Sequence, residues 1–89
     1  MTTAEPEYPQ IVSVEVDDHW ITAAFVDGRR ISIPLSWSWR LEQATQAHRA
    51  NWRLIALGEG VHWPDVDEDL SARWFFVGTP APRRRAKAP

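Results

Sequence analysis

The sequence predicts a small single-domain α+β protein, with an antiparallel meander of three strands and a short fourth strand packed against two short helices. Three observations predict this fold. Apolar and polar residues alternate along residues 11–35, apolar residues recur at helical spacing along residues 39–52, and a second helical pattern occupies residues 67–77. The chain has 89 residues, enough for one domain with one modest core.

The alternating region predicts the meander. Its strands cover residues 11–16, 20–26 and 29–35, which are rich in β-branched and aromatic types. Asp27-Gly28 lies between the last two strands and predicts a hairpin turn of type I′, in which both central residues take a positive φ. Pro34 has no N–H to donate, so the third strand should end at an edge of the sheet.

The helical patterns predict two helices with a strand between them. The first runs from about Trp39 to Asn51 and is capped by Ser36 or Ser38. Its apolar face contains Leu41, Ala44, Thr45, His48 and Trp52. Residues 52–57 form the fourth strand. The second helix takes Asp67 as its N-cap, stops at Gly78 and buries Leu70, Trp74 and Val77.

The folded domain is therefore expected to cover residues 9–78. Residues 1–8 are expected to be a flexible N-terminus, and residues 79–89 a disordered basic tail rich in Pro and Ala. No apolar run approaches the roughly 20 residues of a membrane span. The acidic N-terminus also lacks the apolar core of a signal peptide. We therefore expect a cytoplasmic protein.

Charge is distributed unevenly along the chain. Arg83, Arg84, Arg85 and Lys87 are four of the ten basic residues, so residues 1–82 retain six basic and twelve acidic residues. An acidic body argues against nucleic-acid binding by the folded part, because that binding depends on neutralising phosphates. The four C-terminal cations are the candidate residues if nucleic acid is bound at all.

No catalytic site and no cofactor are expected. The chain has no Cys, which excludes disulfides, thiol nucleophiles and thiolate zinc sites. It has no Gly-x-Ser-x-Gly motif, and the Gly-Glu-Gly at residues 58–60 is too short to cradle a phosphate. His48 lies on the apolar face of the first predicted helix, where a core histidine is the favoured interpretation.

The acidic segment near residue 65 is the first candidate interaction site. Three interpretations remain open: a helix N-cap followed by a negative first turn, which is favoured, an acidic docking surface for a protein partner, and a hard-cation site. The spacing lacks the Gly and Glu positions of an EF-hand loop, so no metal is predicted. The candidate contact residues are Trp63, Pro64, Asp65, Asp67, Glu68 and Asp69.

The second candidate surface consists of Trp37, Trp39 and Arg40. Both indoles cannot point inward if this stretch is extended, so at least one is a candidate for exposure at an interface. The alternative is that both fold over the small core. Periodicity assigns the other tryptophans to the core: Trp20, Trp52, Trp63 and Trp74.

Two stretches of the sequence, FVDGRRISIPLSWSWRLEQATQAHR and GVHWPDVDEDLS, resemble the bacterial family known as domain of unknown function 2442. The resemblance covers residues 11–78, and it departs from the family pattern at Trp39, where relatives have Pro. It implies a compact α+β fold with no assigned activity. Because relatives are encoded beside a second small protein, it also implies one member of a two-protein module.

Taken together, these observations predict a non-catalytic protein-interaction module. The resemblance makes it an antitoxin-like or regulatory partner of a neighbouring small protein. The alternative function is a nucleic-acid-associated regulator that uses the basic residues between Arg83 and Lys87.

Overall fold

A computed structural model describes residues 8–80, which form two three-stranded antiparallel sheets and three short α-helices. The predicted α+β class is confirmed. The elements are β1 (Ile11–Val16), β2 (Trp20–Phe25), β3 (Arg30–Pro34), α1 (Trp39–Glu42), α2 (Gln46–Ala50), β4 (Arg53–Ile55), β5 (Gly60–Trp63), β6 (Glu68–Ser71) and α3 (Ala72–Val77). The expectations for residues 1–7 and 81–89 lie outside the described part of the chain.

The first sheet has the order β1-β2-β3, which confirms the predicted meander. The register of β1 against β2 shifts between Ile11 and Ser13, so Val12 forms a β-bulge. As a result Ile11 is buried and Val12 is exposed, although strict alternation would place Val12 on the same face as Val14.

The hairpin between β2 and β3 lies where it was predicted, but the turn is not type I′. The N–H of Gly28 donates to the carbonyl of Phe25, and within this turn only Gly28 has a positive φ, of 96°. The Asp27 carboxylate instead accepts hydrogen bonds from the side chain and the backbone N–H of Arg29. These bonds, the side-chain one first, lower the pKa of Asp27.

The single helix predicted from Trp39 to Asn51 is two helices. Ser38 caps α1 as predicted, but Thr45 caps a new helix, accepting a hydrogen bond from the N–H of His48. The interruption is stabilised by the buried Arg49, whose guanidinium donates to the carbonyls of Leu41 and Glu42 at distances of 3.0 and 3.1 Å. These carbonyls lie at the end of α1, where helical hydrogen bonding runs out, and the carbonyl of Leu41 accepts from the N–H of Ala44 as well.

The helix predicted to start at Asp67 is wrong in its first half. Residues 68–71 are β6, which pairs antiparallel with β5 through Val61 and Leu70 among others. Asp67 has a φ of 54° and belongs to the turn between these strands. The helix α3 begins only after Ser71, whose hydroxyl accepts from the N–H of Trp74. The predicted fourth strand, shortened to β4, completes this second sheet.

The core lies between the inner faces of the two sheets and is closed by Leu41 and Phe75. Trp63 is its largest fully buried side chain. Trp20 was assigned to the core but is 47% exposed, and Trp52 and Trp74 pack against the core while remaining half-buried.

Gly58 provides a test of how the second sheet is attached to the first. Its φ is 90°, and a Cβ placed there would lie 2.7 Å from the carbonyl oxygen of Ile11 in β1. We expect Gly58→Ala to lower the free energy of unfolding by about 1–3 kcal/mol through backbone strain and steric overlap. Urea denaturation would measure this loss.

Gly28→Ala is the matched control for Gly58→Ala. Gly28 also has a positive φ, but nothing lies within 4 Å of the position of its missing Cβ. This variant therefore introduces backbone strain without overlap, and its loss should be the smaller one. Equal losses would contradict the close approach of Gly58 to β1.

Candidate interaction surface

The solvent-facing side of the second sheet, here called the outer face, carries two rows of side chains. According to the strand register, one row consists of Arg53, His62 and Asp69. The other row consists of Ile55, Gly60 and Ser71. The opposite side of this sheet faces the core. The alternation of the strands thus places Arg53, His62 and Asp69 on the side opposite the buried Val61, Trp63 and Leu70.

A histidine–carboxylate pair crosses the outer face from β5 to β6. Nδ1 of His62 lies 2.5 Å from Oδ1 of Asp69. The histidine is largely covered, while the Asp69 side chain is mostly exposed. Arg53, also exposed, is the neighbour of His62 on β4. The row therefore presents both signs of charge to solvent.

An open cleft of about 370 Å³ lies at the other end of the same face. The lining residues are Ile55, Ala56, Glu59, Gly60, Asp69, Leu70, Ser71 and Trp74. The Ile55 side chain lies over Gly60, where a Cβ would be only 3.2 Å from Ile55 Cγ1. The cleft thus combines apolar walls with two acidic residues, and none of its lining residues is basic.

Leu57 stands beside this cleft at the turn between β4 and β5. Its side chain is 90% exposed, and the three consecutive residues Ala56, Leu57 and Gly58 have φ values of 52°, 58° and 90°. The turn is held in place on one side by the hydrogen bond from the Ala72 N–H to the Glu59 carbonyl. A fixed backbone therefore projects this leucine into solvent.

The acidic turn lies at the opposite end of the sheet, between β5 and β6. Pro64, Asp65 and Asp67 are exposed, as the docking interpretation requires. The carboxylate of Asp65 accepts a hydrogen bond of 2.7 Å from the Asn51 amide. The favoured interpretation, a helix N-cap, is wrong because this segment is a hairpin turn.

Two of the predicted contact residues, Trp63 and Glu68, are buried and cannot form a contact surface. Trp63 has no exposed surface, and its indole N–H donates to the carbonyl of Arg49. Glu68 accepts a 2.5 Å hydrogen bond from the hydroxyl of Ser38, which is also buried. Both side chains point inward because strand alternation, not helical spacing, sets their direction.

The predicted aromatic-basic patch is divided in the structure. The guanidinium of Arg40 lies 4.7 Å from the ring centre of Trp39, and its Nη1 is 3.9 Å from Glu68. Trp37 instead packs edge-on against Trp74. Both indoles are half-buried, so neither is presented as an isolated exposed tryptophan.

Residues 11–79 match the family model described as protein of unknown function (DUF2442). The chain belongs to this family. The resemblance seen in the sequence is confirmed, and the architecture described above is that of one DUF2442 chain.

One solved structure shares the fold of this DUF2442 chain. It is the crystal structure of a protein of unknown function from Rhodospirillum rubrum ATCC 11170 at 2.75 Å resolution. The sequences are 21% identical, the TM-score is 0.70, and the alignment covers 84% of this chain and 93% of the other. No curated protein matches the chain.

Other kinds of site are limited by the arrangement of residues 8–80. Over this range, no group of three or more His, Asp or Glu side chains could hold a metal ion. No helix within the same residues is long and apolar enough to cross a membrane. The candidate nucleic-acid residues, Arg83, Arg84, Arg85 and Lys87, lie outside the described part.

The sequence interpretation missed the cleft and Leu57. It placed Leu57 in a strand, whereas the strand ends two residues earlier at Ile55. It also placed Trp74 on a buried helix face, and only the pairing of β5 with β6 brings that helix beside Glu59. Alternation across residues 60–63 and 68–71, with a Pro-containing turn between them, is the signal for this hairpin.

Proposed function

We propose that this DUF2442 protein is a non-catalytic protein-interaction module that binds its partner through the outer face of the second sheet. Leu57 is the observation that supports this proposal most directly. A non-glycine residue in the left-handed region costs about 1 kcal/mol or more, and here the residue is an almost fully exposed leucine. Gly or Asn at this position would remove most of that cost, so the leucine is better explained by a contact with another protein.

The exposed charges indicate which residue types the surface of the partner should carry. Asp69 lies on the outer face and lines the cleft, whereas Asp65 and Asp67 are exposed in the turn at the end of the sheet opposite Leu57. A complementary protein surface would offer an apolar recess for the leucine and Lys or Arg for the carboxylates. Such charges mainly accelerate association and select the partner, whereas a buried apolar residue contributes more of the affinity.

We also propose a biological role for the protein. It acts in the bacterial cytoplasm as the antitoxin-like or regulatory member of a pair with a neighbouring small protein. This assignment rests on the family resemblance, while the contact surface rests on the geometry. The two parts can therefore fail separately.

The test compares Leu57→Asn with the wild type, using the partner that co-purifies from the native host and is identified by mass spectrometry. Asn adopts a positive φ more readily than Leu, so the variant should remain folded. We expect its dissociation constant, measured by calorimetry, to rise at least about 10-fold, because a central apolar contact contributes more than ~1.4 kcal/mol.

The triple change of Asp65, Asp67 and Asp69 to Asn separates the electrostatic contribution. It should slow association and weaken its salt dependence, and Glu15→Gln, an exposed change on β1, is the charge control. A partner bound equally well by both test variants would refute the proposed surface. Loss of all captured material after nuclease treatment would instead favour the nucleic-acid function of Arg83–Lys87.

A further inference from the structure

We propose that the cleft beside Leu57 binds a basic segment of the same chain, residues 83–87. All residues that line the cleft are described in the structure. Two observations indicate its occupant: the complementary charge of residues 83–87, and the position at which the chain leaves the fold. The regulatory consequence, competition between this segment and the partner, rests on the proposed function. The binding itself does not.

The chain leaves the fold at the wall of the cleft. The indole N–H of Trp74 donates a 3.1 Å hydrogen bond to the carbonyl of Thr79, and Trp74 lines the cleft. Arg83 follows Pro80 by three residues and Lys87 by seven. A chain of three to seven residues spans at most roughly 10–25 Å, so each cation in the segment could reach the cleft.

The charges of the two parts are complementary. Residues 8–80 contain ten acidic and six basic residues, whereas residues 81–89 contain four basic residues and no acidic one. The acidic residues lining the cleft are Glu59 and Asp69, with no basic residue among the lining. Arginine is therefore the type of side chain that this cleft should favour.

The apolar part of the cleft fits the same side chain. Arg and Lys place their aliphatic stems against apolar surface while the charged group remains near water and carboxylates. Ile55 and Trp74, which both line the cleft, provide apolar surface, and an indole also attracts a guanidinium. A cleft with apolar walls alone would not distinguish Arg from Leu.

Because residues 83–87 belong to the same chain as the cleft, even a weak contact is enough to keep the segment bound for much of the time. A segment joined by a short linker experiences an effective concentration in the millimolar range. A contact with a dissociation constant near 1 mM, too weak to detect between separate molecules at micromolar concentration, would then be occupied for about half of the time or more. The cleft needs only modest affinity for the basic segment.

The test uses two-dimensional ¹⁵N–¹H NMR spectra of the full 89-residue chain and of a variant with Arg83, Arg84, Arg85 and Lys87 changed to Ala. The variant keeps the chain length, so no end effect disturbs Trp74. We expect shift differences at the amides of Gly60, Asp69 and Ser71 and at the Trp74 indole N–H. They should disappear in about 1 M NaCl, where the Debye length is ~3 Å.

The same comparison, with and without the four alanine changes, is repeated in chains that carry a further substitution. The double change Glu59→Gln/Asp69→Asn should remove the shift differences, while Glu15→Gln should leave them unchanged. The proposal would be overturned if the wild type and the four-alanine variant showed no shift difference at the amides of Gly60, Asp69 and Ser71 or at the Trp74 indole N–H. It would also be overturned by differences confined to Asp65 and Asp67, or by differences that grow with protein concentration, which indicates binding between molecules. No partner is needed, so failure here leaves the proposed function standing, and failure of the Leu57→Asn test leaves this inference standing.

Discussion

Replacing Trp63 by alanine is expected to cause the largest loss of stability of any single change in the domain. The side chain has no exposed surface and lies between the two sheets, so its loss leaves a large cavity. Comparable Trp→Ala changes cost about 3–5 kcal/mol. A domain of this size has only about 4–11 kcal/mol in total. The carbonyl of Arg49 also loses its hydrogen bond. Thermal unfolding followed by circular dichroism would measure the loss.

Trp20→Ala is the matched control, because Trp20 is 47% exposed at the start of β2. We expect a loss of about 1 kcal/mol or less for this variant, as for most substitutions at exposed positions. In a domain of this length, each kcal/mol corresponds to a change in Tm of about 4–8 °C. Similar Tm values for the two variants would show that Trp63 is not the central core residue.

Replacing Arg49 by alanine is expected to cost about 3 kcal/mol, which is the second largest effect. The guanidinium donates to the carbonyls of Leu41 and Glu42 and to the exposed carboxylate of Asp18. Truncation removes two hydrogen bonds from a charged donor, each worth roughly 1.5–3 kcal/mol, although the carbonyl of Leu41 keeps the N–H of Ala44. Chemical denaturation of the variant provides the measurement.

Asp18→Asn distinguishes these contributions of Arg49. The side chain of Asp18 is 85% exposed, so its ion pair with Arg49 is screened by water and should contribute little. This variant keeps both hydrogen bonds to the carbonyls, and we expect it to lose about 0.5 kcal/mol. A loss as large as that of Arg49→Ala would mean that the ion pair, not the support of the end of α1, is the stabilising contact.

The first sheet could be predicted from the sequence because its pattern is local. Alternation, Asp27-Gly28 and Pro34 all act within a few residues, and all three are consistent with the same meander. The bulge at Val12 could not be predicted in this way. It depends on the register against β2, which the pattern of β1 alone does not contain.

The second sheet shows why a correct chemical observation led to a wrong element. Leu70 and Trp74 are four residues apart, a spacing that suits a helix but also places two residues on the same side of a strand. Asp67 and Glu68 supplied the acidic residues of a helix start. The pairing of Leu70 with Val61, nine residues away, selects the strand.

The candidate surface was predicted in part for the same reason. Asp65, Asp67 and Asp69 are exposed whether the segment is a helix start or a hairpin. Trp63 and Glu68 change from surface to core when the period changes from 3.6 to 2. Leu57 gave no signal, because an apolar residue after Leu54 and Ile55 reads as a continuation of β4.

The edges of the two sheets limit how another protein can bind. In the described residues the edge strands are β1, β3, β4 and β6. β1 is bulged at Val12, β3 ends in Pro34, β4 has three residues, and β6 continues directly into α3. Short, bulged or proline-containing edges are poor templates for an added strand. A partner is therefore expected to be recognised through side chains rather than by β-augmentation, so point substitutions should be able to alter its specificity.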